Sequence, residues 1–538
     1  MVASKNQERK GSVGQKAQGP RQIDPRKARI QWIVALAAIL AVFGVLVCFL
    51  PLGSAVKIGA DEDFELSKAT LLNHGYHLYT EIWNDQPPLD TVLVAAILKH
   101  LSPSVAGPRL LTVFFSGVLM ASLFALGRRT LGTLVAVLGA VFLLASPGYL
   151  ELSTSCMQEL PALAPAVAAL AILAWGRGRS FRWTDLMAGL VFGVAMQMKL
   201  IGLMYLPLVP LIFWVRGLEG RGMVAVKKSA AGVGSATVSG VGDASVVSRR
   251  FSMGTFLAAV AAFGVAALGS FVALNYGTGH SLMLQLKQGW EAHISGAQSF
   301  EYGAPADHPY DWSILFKNWD ATIPALIGVV VLLKQSMRKP FFLVPVAWLL
   351  LTYIVLPSHV PWWSYYYVHN AVPLCWCAAV GVATVVEALR SSKRAAQVAV
   401  GVVGLGFAGW TGGRVYIQMY SIRNSPQLHS ALILKEVARY KPFTEFFFAD
   451  EPIYTFHSDI PMPPRLAVIS LKRLWSGDMT PAKLRAEMEK IKPGLVLLGN
   501  DTAELPFQEL MDTEYRMCYQ DTKYRLFVLR AIARKPDQ

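Results

Sequence analysis

Residues 30–52 read IQWIVALAAILAVFGVLVCFLPL, and soon after them comes Asp61-Glu62-Asp63. About 20 consecutive apolar residues suffice to cross the hydrocarbon core of a bilayer, so the stretch predicts a transmembrane helix. Carboxylates are costly beside a bilayer, which makes the triplet a functional suspect. A solvated helix N-terminus, where acidic side chains offset the helix dipole, is the plainer reading of the same residues.

The rest of the chain repeats the apolar pattern. Windows near Ile30–Leu52, Pro108–Gly127, Leu131–Ser146, Leu160–Trp175, Leu186–Met198, Leu200–Val215, Phe251–Leu274, Ala321–Leu333, Phe341–Leu356, Ala371–Leu389 and Ala396–Trp410 give about 11 spans on the length rule. Of 538 residues, 54% are hydrophobic and 16% charged, and mean hydropathy is +0.40. This excludes an ordinary soluble protein. The expected architecture is an all-α polytopic membrane domain followed by a small extracytoplasmic α/β domain.

Lysine and arginine collect on cytoplasmic loops near span ends. The tail before the first span carries Lys5, Arg9, Lys10, Lys16, Arg21, Arg26, Lys27 and Arg29, and alternate connections carry Arg128-Arg129, Arg177/Arg179/Arg182, Lys227-Lys228 with Arg249-Arg250, Lys334/Arg338/Lys339 and Arg390/Lys393/Arg394. The N-terminus is therefore expected in the cytoplasm of a cell whose plasma (inner) membrane the chain spans. The Asp61 loop, Gly148–Glu159, Lys199, Asn275–Asp320, Pro357–Tyr367 and everything after about Gly413 then face outward. The net charge of +15 is mostly this topology signal, so no nucleic-acid partner is implied and anionic membrane lipids suit the basic tail.

Three regions follow: a disordered basic tail at 1–29, a multi-span domain at 30–418 and an extracytoplasmic α/β domain at 419–538. The tail lacks a cleavable signal's short apolar core and small-residue site, so the first span is expected to stay as an anchor. Ser229–Val247 reads as a flexible linker. The five cysteines form neither a disulfide framework nor a zinc spacing. In the last region, Leu432–Tyr440 and Pro481–Ile491 read as helices, and Thr444–Phe448, Leu495–Gly499 and Tyr524–Ala531 as strands.

Most of the chain resembles the GT-C superfamily of membrane glycosyltransferases, in the bacterial branch similar to protein O-mannosyltransferases and lipid A aminoarabinose transferases. The resemblance is carried by Asp61-Glu62 after the first span, Gly75-Tyr76-His77-Leu78-Tyr79, and Gln86-Pro87-Pro88-Leu89, in that order. Gly189-Leu190-Val191-Phe192-Gly193 leading to Lys199 and the aromatic stretch His359–Tyr367 add to it. Many relatives have lysine where this chain has Gln86, which can hydrogen-bond a phosphate but not neutralise it.

The resemblance implies transfer of a sugar from a polyprenyl-phosphate donor to a hydroxyl or amine of a protein, lipid or glycan acceptor, with inversion, on the outer face. The leaving phosphate is already a stable anion, so one carboxylate base suffices, and Asp61 is assigned that role. Glu62, Asp63, Tyr79, Asp85 and Gln86 are expected at the substrate. Lys199, His359 and Arg109 are candidates to cover the phosphate, with Tyr366 donating a hydrogen bond. Lys199 has a plain alternative in snorkelling, and the aromatics beside His359 in an interfacial belt. Metal dependence stays open: Asp85 and Glu159 could supply hard oxygen ligands to a divalent metal, against a helix-edge or capping role for each. In the 275–320 loop, His280, Glu291, His293, Glu301, Asp307, His308 and Asp311 have no recognised metal spacing, and the aromatics Trp290, Tyr302, Tyr310 and Trp312 are expected to contact sugar or acceptor, against a covering loop with no ligand.

Two rivals stand beside this reading. A secondary transporter should show internal repeats and midplane charges, and none is evident. A non-catalytic envelope assembly protein would tolerate loss of Asp61.

Overall fold

A computed structural model of the chain describes residues 25–54, 61–101, 104–176, 183–231, 253–293, 307–390, 394–425, 429–500 and 506–534. Nearly all of the tail at 1–29 and most of the linker at Ser229–Val247 lie outside those residues, as do Glu301 and Tyr302.

Each apolar window falls on a helix. The chain runs α1 (Pro25–Cys48), α2 (Asp61–Asn73), α3 (Leu89–His100), α4 (Ala106–Leu131), α5 (Thr133–Ala145), α6 (Tyr149–Ser153), α7 (Glu159–Trp175), α8 (Trp183–Met198), α9 (Leu208–Ala231), α10 (Met253–Gly277), α11 (Leu282–His293), α12 (Ser313–Lys317), α13 (Trp319–Ser336), α14 (Leu343–Ser358), α15 (Tyr367–Arg390) and α16 (Arg394–Arg423). Among the described residues seven helices are long and apolar enough to cross a membrane, and α5 and α7 are shorter apolar helices. The last helix runs on to Arg423, past the expected end at Trp410, so the expected domain boundary at 418 falls inside α16.

Lipid offers apolar side chains no hydrophobic reason to leave it, so close backbone approach between helices has to hold the bundle. Two pairs of glycines allow it. A Cβ on Gly189 or Gly193 of α8 would lie 2.4 or 2.5 Å from the carbonyl oxygens of Phe263 and Ala267 on α10. Where α13 crosses α15, a Cβ on Gly328 would lie 1.9 Å from the Cys377 oxygen, and one on Gly381 2.0 Å from the Pro324 oxygen. The Gly189/Gly193 element of the resemblance is thus a packing device that delivers Lys199 to the end of α8.

After α16 the chain forms a four-stranded mixed sheet in the order β1-β2-β4-β3, from β1 (Phe447–Ala449), β2 (Leu495–Gly499), β3 (Tyr515–Gln520) and β4 (Tyr524–Leu529). β1 pairs parallel to β2, and β4 runs antiparallel to both its neighbours. Side chains alternate across a strand, and β2 is buried on both faces. Leu495 and Leu497 pack in one cluster with Leu66, Ala69, Val94 and Leu98 of α2 and α3. Val496 and Leu498 pack in another with Leu71, Leu78, Ile82 and Trp83. The segment that follows the first span and the C-terminal sheet therefore share their cores.

Candidate active site

The acidic triplet forms the first turn of α2, where carboxylates offset the positive end of the helix dipole. The three side chains part company, and Glu62 and Asp63 are buried where a solvated turn was the plainer expectation. Asp61 lines a cavity of about 340 Å³ between α2 and the 83–86 turn, the start of α7, the Lys199 corner, the 363–366 turn and residues 468–472 of the C-terminal region. Its Oδ2 accepts a hydrogen bond from the Tyr365 hydroxyl at 2.8 Å.

Glu62 turns away from that cavity. It accepts from Arg109 Nε at 2.8 Å and Nη2 at 3.0 Å, and its Oε1 also accepts from the Cys156 backbone N–H at 2.8 Å. Arg109 Nη1 reaches the Leu52 carbonyl at 2.6 Å. Both side chains are fully buried, and the pair ties α2 to α4 and to the end of the first span. Asp63 is buried and does not line the cavity. For Glu62, Asp63 and Arg109 the structure thus gives places in the framework behind the site, whereas substrate contact was expected.

Tyr79 is also a framework residue. It sits at φ 70°, a region a bulky side chain enters only when its surroundings impose it. Its N–H donates to the Ile82 carbonyl at 2.7 Å, and its hydroxyl to the Gln86 carbonyl at 2.7 Å. Asn84 Nδ2 donates to the same Gln86 oxygen at 2.8 Å. From α11, Gln288 clasps the turn through the Asn84 N–H and the Tyr79 carbonyl. The turn so fixed presents Trp83, Asp85 and Gln86 to the cavity.

Lys199 reaches the cavity as expected, but with a partner: its Nζ donates to Glu159 Oε1 at 2.5 Å. The ammonium also stands 5.5 and 5.8 Å from the Tyr366 and Tyr365 ring centres, a cation–π distance. Tyr366 lines the cavity. His359 does not; its ring lies 5.5 Å from that of Tyr366.

Several lining residues escaped the sequence. Glu65 and Lys68 form a buried ion pair on α2, with Lys68 Nζ donating to Asn84 Oδ1 at 2.9 Å and Thr91 Oγ1 donating to Glu65 Oε2 at 2.7 Å. Their signal was present, since Asp61, Glu65 and Lys68 stand at i, i+4 and i+7 on one helical face. Gln158, Trp363, Tyr365, Ser470 and Lys472 also line the cavity. Nothing in the sequence around Lys472 connects it to a loop near the start of the chain. Lys472 Nζ donates to Asp85 Oδ2 at 3.2 Å. Burial pushes its ammonium down, but Asp85, with Tyr366 and Asp61 adding to it, holds it above the ordinary lysine value.

Asp85 and Glu159 do not suit a divalent metal as they stand. A lysine holds each of them, and among the described residues no group of three or more potential ligands exists. The loop histidines are dispersed: His280 meets the edge of Tyr79, and His308 lies against Trp363 at 4.8 Å. Trp290, Tyr310 and Trp312 do not line the cavity, so the aromatic surface offered there is that of Phe64, Trp83, Trp363, Tyr365 and Tyr366.

The fold recurs in solved structures. ArnT from Cupriavidus metallidurans, bound to undecaprenyl phosphate, superposes with a TM-score of 0.56 over 94% of this chain and 99% of that one, at 14% identity. The archaeal oligosaccharyltransferase AglB from Archaeoglobus fulgidus, in complex with an inhibitory peptide and a dolichol-phosphate, superposes at 0.54 over 87% of this chain and 69% of that one, at 13% identity. The chain carries the GT-C fold. The family described as dolichyl-phosphate-mannose-protein mannosyltransferase matches residues 85–237, a stretch of the GT-C fold from Asp85 to beyond α9. No curated protein matches by sequence.

Proposed function

We propose that this GT-C chain transfers a glycosyl unit from a polyprenyl-phosphate donor to an acceptor hydroxyl or amine, at the extracytoplasmic face of the plasma (inner) membrane. The observation that carries the reading is one cavity holding a carboxylate whose hydrogen-bond partner is a tyrosine hydroxyl, Asp61, together with the buried ammonium of Lys199. The undecaprenyl phosphate bound to ArnT and the dolichol-phosphate in complex with AglB support a donor of that class. A volume of about 340 Å³ suits a sugar and its phosphate, leaving the prenyl chain among the helices.

In the proposed step the acceptor oxygen or nitrogen attacks the anomeric carbon as Asp61 takes its proton. The new glycosidic bond forms while the bond from that carbon to the phosphate oxygen breaks, and the electron pair leaves with polyprenyl phosphate. Attack opposite the leaving group inverts the anomeric centre. Lys199 stabilises charge on the departing phosphate, and Trp83, Trp363 and Tyr366 offer ring faces to the sugar. The basic connections support a cytoplasmic N-terminus, with the 431–534 region outside together with the site.

The test is release of free polyprenyl phosphate from a panel of polyprenyl-phosphate sugars, with purified protein and native lipid extract as the acceptor source. Release by wild type and not by Asp61→Asn is the expected result. Release from no donor in the panel would count against a transferase.

A further inference from the structure

We propose that Lys472 is a second cation for the donor phosphate, so that the phosphate subsite is assembled from the first outer loop and the C-terminal region together. The inference rests on the donor reading of the cavity given above.

Three lysines line the cavity, and they differ in how firmly they are held. Lys68 is committed to Glu65 and Asn84, deep in the α2 framework. Lys199 is held tightly by a fully buried Glu159. The Lys472–Asp85 pair is the loosest and most accessible: its 3.2 Å exceeds the usual charge-assisted length of about 2.7–2.9 Å, and its side chains are 17% and 13% exposed.

Its geometry points to an anion. Asp85 Oδ2 accepts from Lys472 Nζ and also from Gln86 Nε2 at 3.0 Å. An ammonium and a neutral amide thus converge on one negatively charged oxygen at the cavity wall, which is the donor set that a phosphate oxygen would meet in the same place. Gln86 can orient such an oxygen but not neutralise it, and Lys472 supplies the missing charge. An ammonium has three N–H donors, and Asp85 accounts for one of them. Lys199 and Lys472 also repel each other across the cavity, a cost that an anion between them would relieve.

The simpler role for Lys472 is a strap that holds the C-terminal region on the outer loop. The two roles separate in binding to undecaprenyl phosphate, compared with undecaprenol, by full-length protein in detergent with zwitterionic lipid. Wild type is expected to prefer the phosphate. Lys472→Met should bind undecaprenyl phosphate at least roughly tenfold more weakly, the loss of one charge-assisted hydrogen bond, with undecaprenol binding unchanged. Asp85→Asn should bind the phosphate more tightly than wild type, because the resident carboxylate no longer competes. Gln86→Lys, added to Lys472→Met, should restore part of the preference.

If Lys472→Met keeps the wild-type preference, or if Lys472→Met and Asp85→Asn weaken binding alike, Lys472 is only a strap and the inference fails. If wild type itself does not distinguish the phosphate from the alcohol, the donor reading fails and takes this inference with it.

Discussion

The hydroxyl of Tyr365 donates to Oδ2 of Asp61 at 2.8 Å, joining the first turn of α2 to the turn that opens α15. The bond fixes the carboxylate's direction, and in the proposed step the acceptor proton goes to that carboxylate. Asp61→Asn is expected to lower transfer by about 10²–10⁴-fold, the span typical of a general base. Tyr365→Phe keeps the ring and loses only the bond, so its kcat should fall about tenfold, one hydrogen bond's worth, with donor affinity unchanged. Equal kcat for Tyr365→Phe and wild type would remove the tyrosine from any positioning role.

Glu62 and Arg109 should behave as structure. Removing one partner of a buried ion pair strands the other charge, at about 3–5 kcal/mol. Arg109→Met is therefore expected to lower the thermal midpoint sharply, and Glu62→Met/Arg109→Met to recover much of the loss. A stable Arg109→Met protein with a raised KM for the donor would instead return Arg109 to the substrate.

The buried Asp90 of α3 gives stability a pH dependence. Burial, with the Glu65 charge adding to it, pushes its carboxyl up to about 8 from an ordinary 3.8. The folded protein then keeps a proton that the unfolded chain has released, so the contribution of Asp90 is full below pH 3.8 and is lost as pH rises through about 8. Thermal midpoints of wild type should decline across that interval, and Asp90→Asn should flatten the decline, gaining most on the alkaline side. Parallel profiles for the two proteins would contradict this.

The crossing of α13 and α15 leaves no space for a side chain at Gly381. Gly381→Val must push the helices apart and should lower the thermal midpoint markedly, whereas Gly401→Val, with nothing within 4 Å, should be nearly neutral. Similar midpoints for both variants would show that the crossing can relax.

The helices were legible because a bilayer imposes a length and a polarity that any apolar window reveals, and each window from Ile30–Leu52 onward meets a helix. Pro481–Ile491 and Leu495–Gly499 were found at their exact bounds, since a threonine cap with proline at the first helical position, and an apolar run after Pro493-Gly494, are local signals. Asp61, Asp85, Gln86, Lys199 and Tyr366 were found at the cavity. The division of labour within the triplet was not readable, because Glu62 owes its place to Arg109, on another helix. Nor was the strand at Tyr515–Gln520, whose alternation is broken by an irregular register near Met517 and Tyr519. Lys472 was illegible for the same reason as Glu62: its partner is distant in sequence.

The shared cores of α2, α3 and β2 impose an order on biosynthesis. Leu66, Ala69 and Leu71 leave the ribosome early, and Leu495, Val496, Leu497 and Leu498, which cover them, come only after every membrane helix has been made. Until then the loop after the first span has an uncovered apolar face and the cavity lacks the wall formed by residues 468–472, so its lining is complete only at the last stage of assembly.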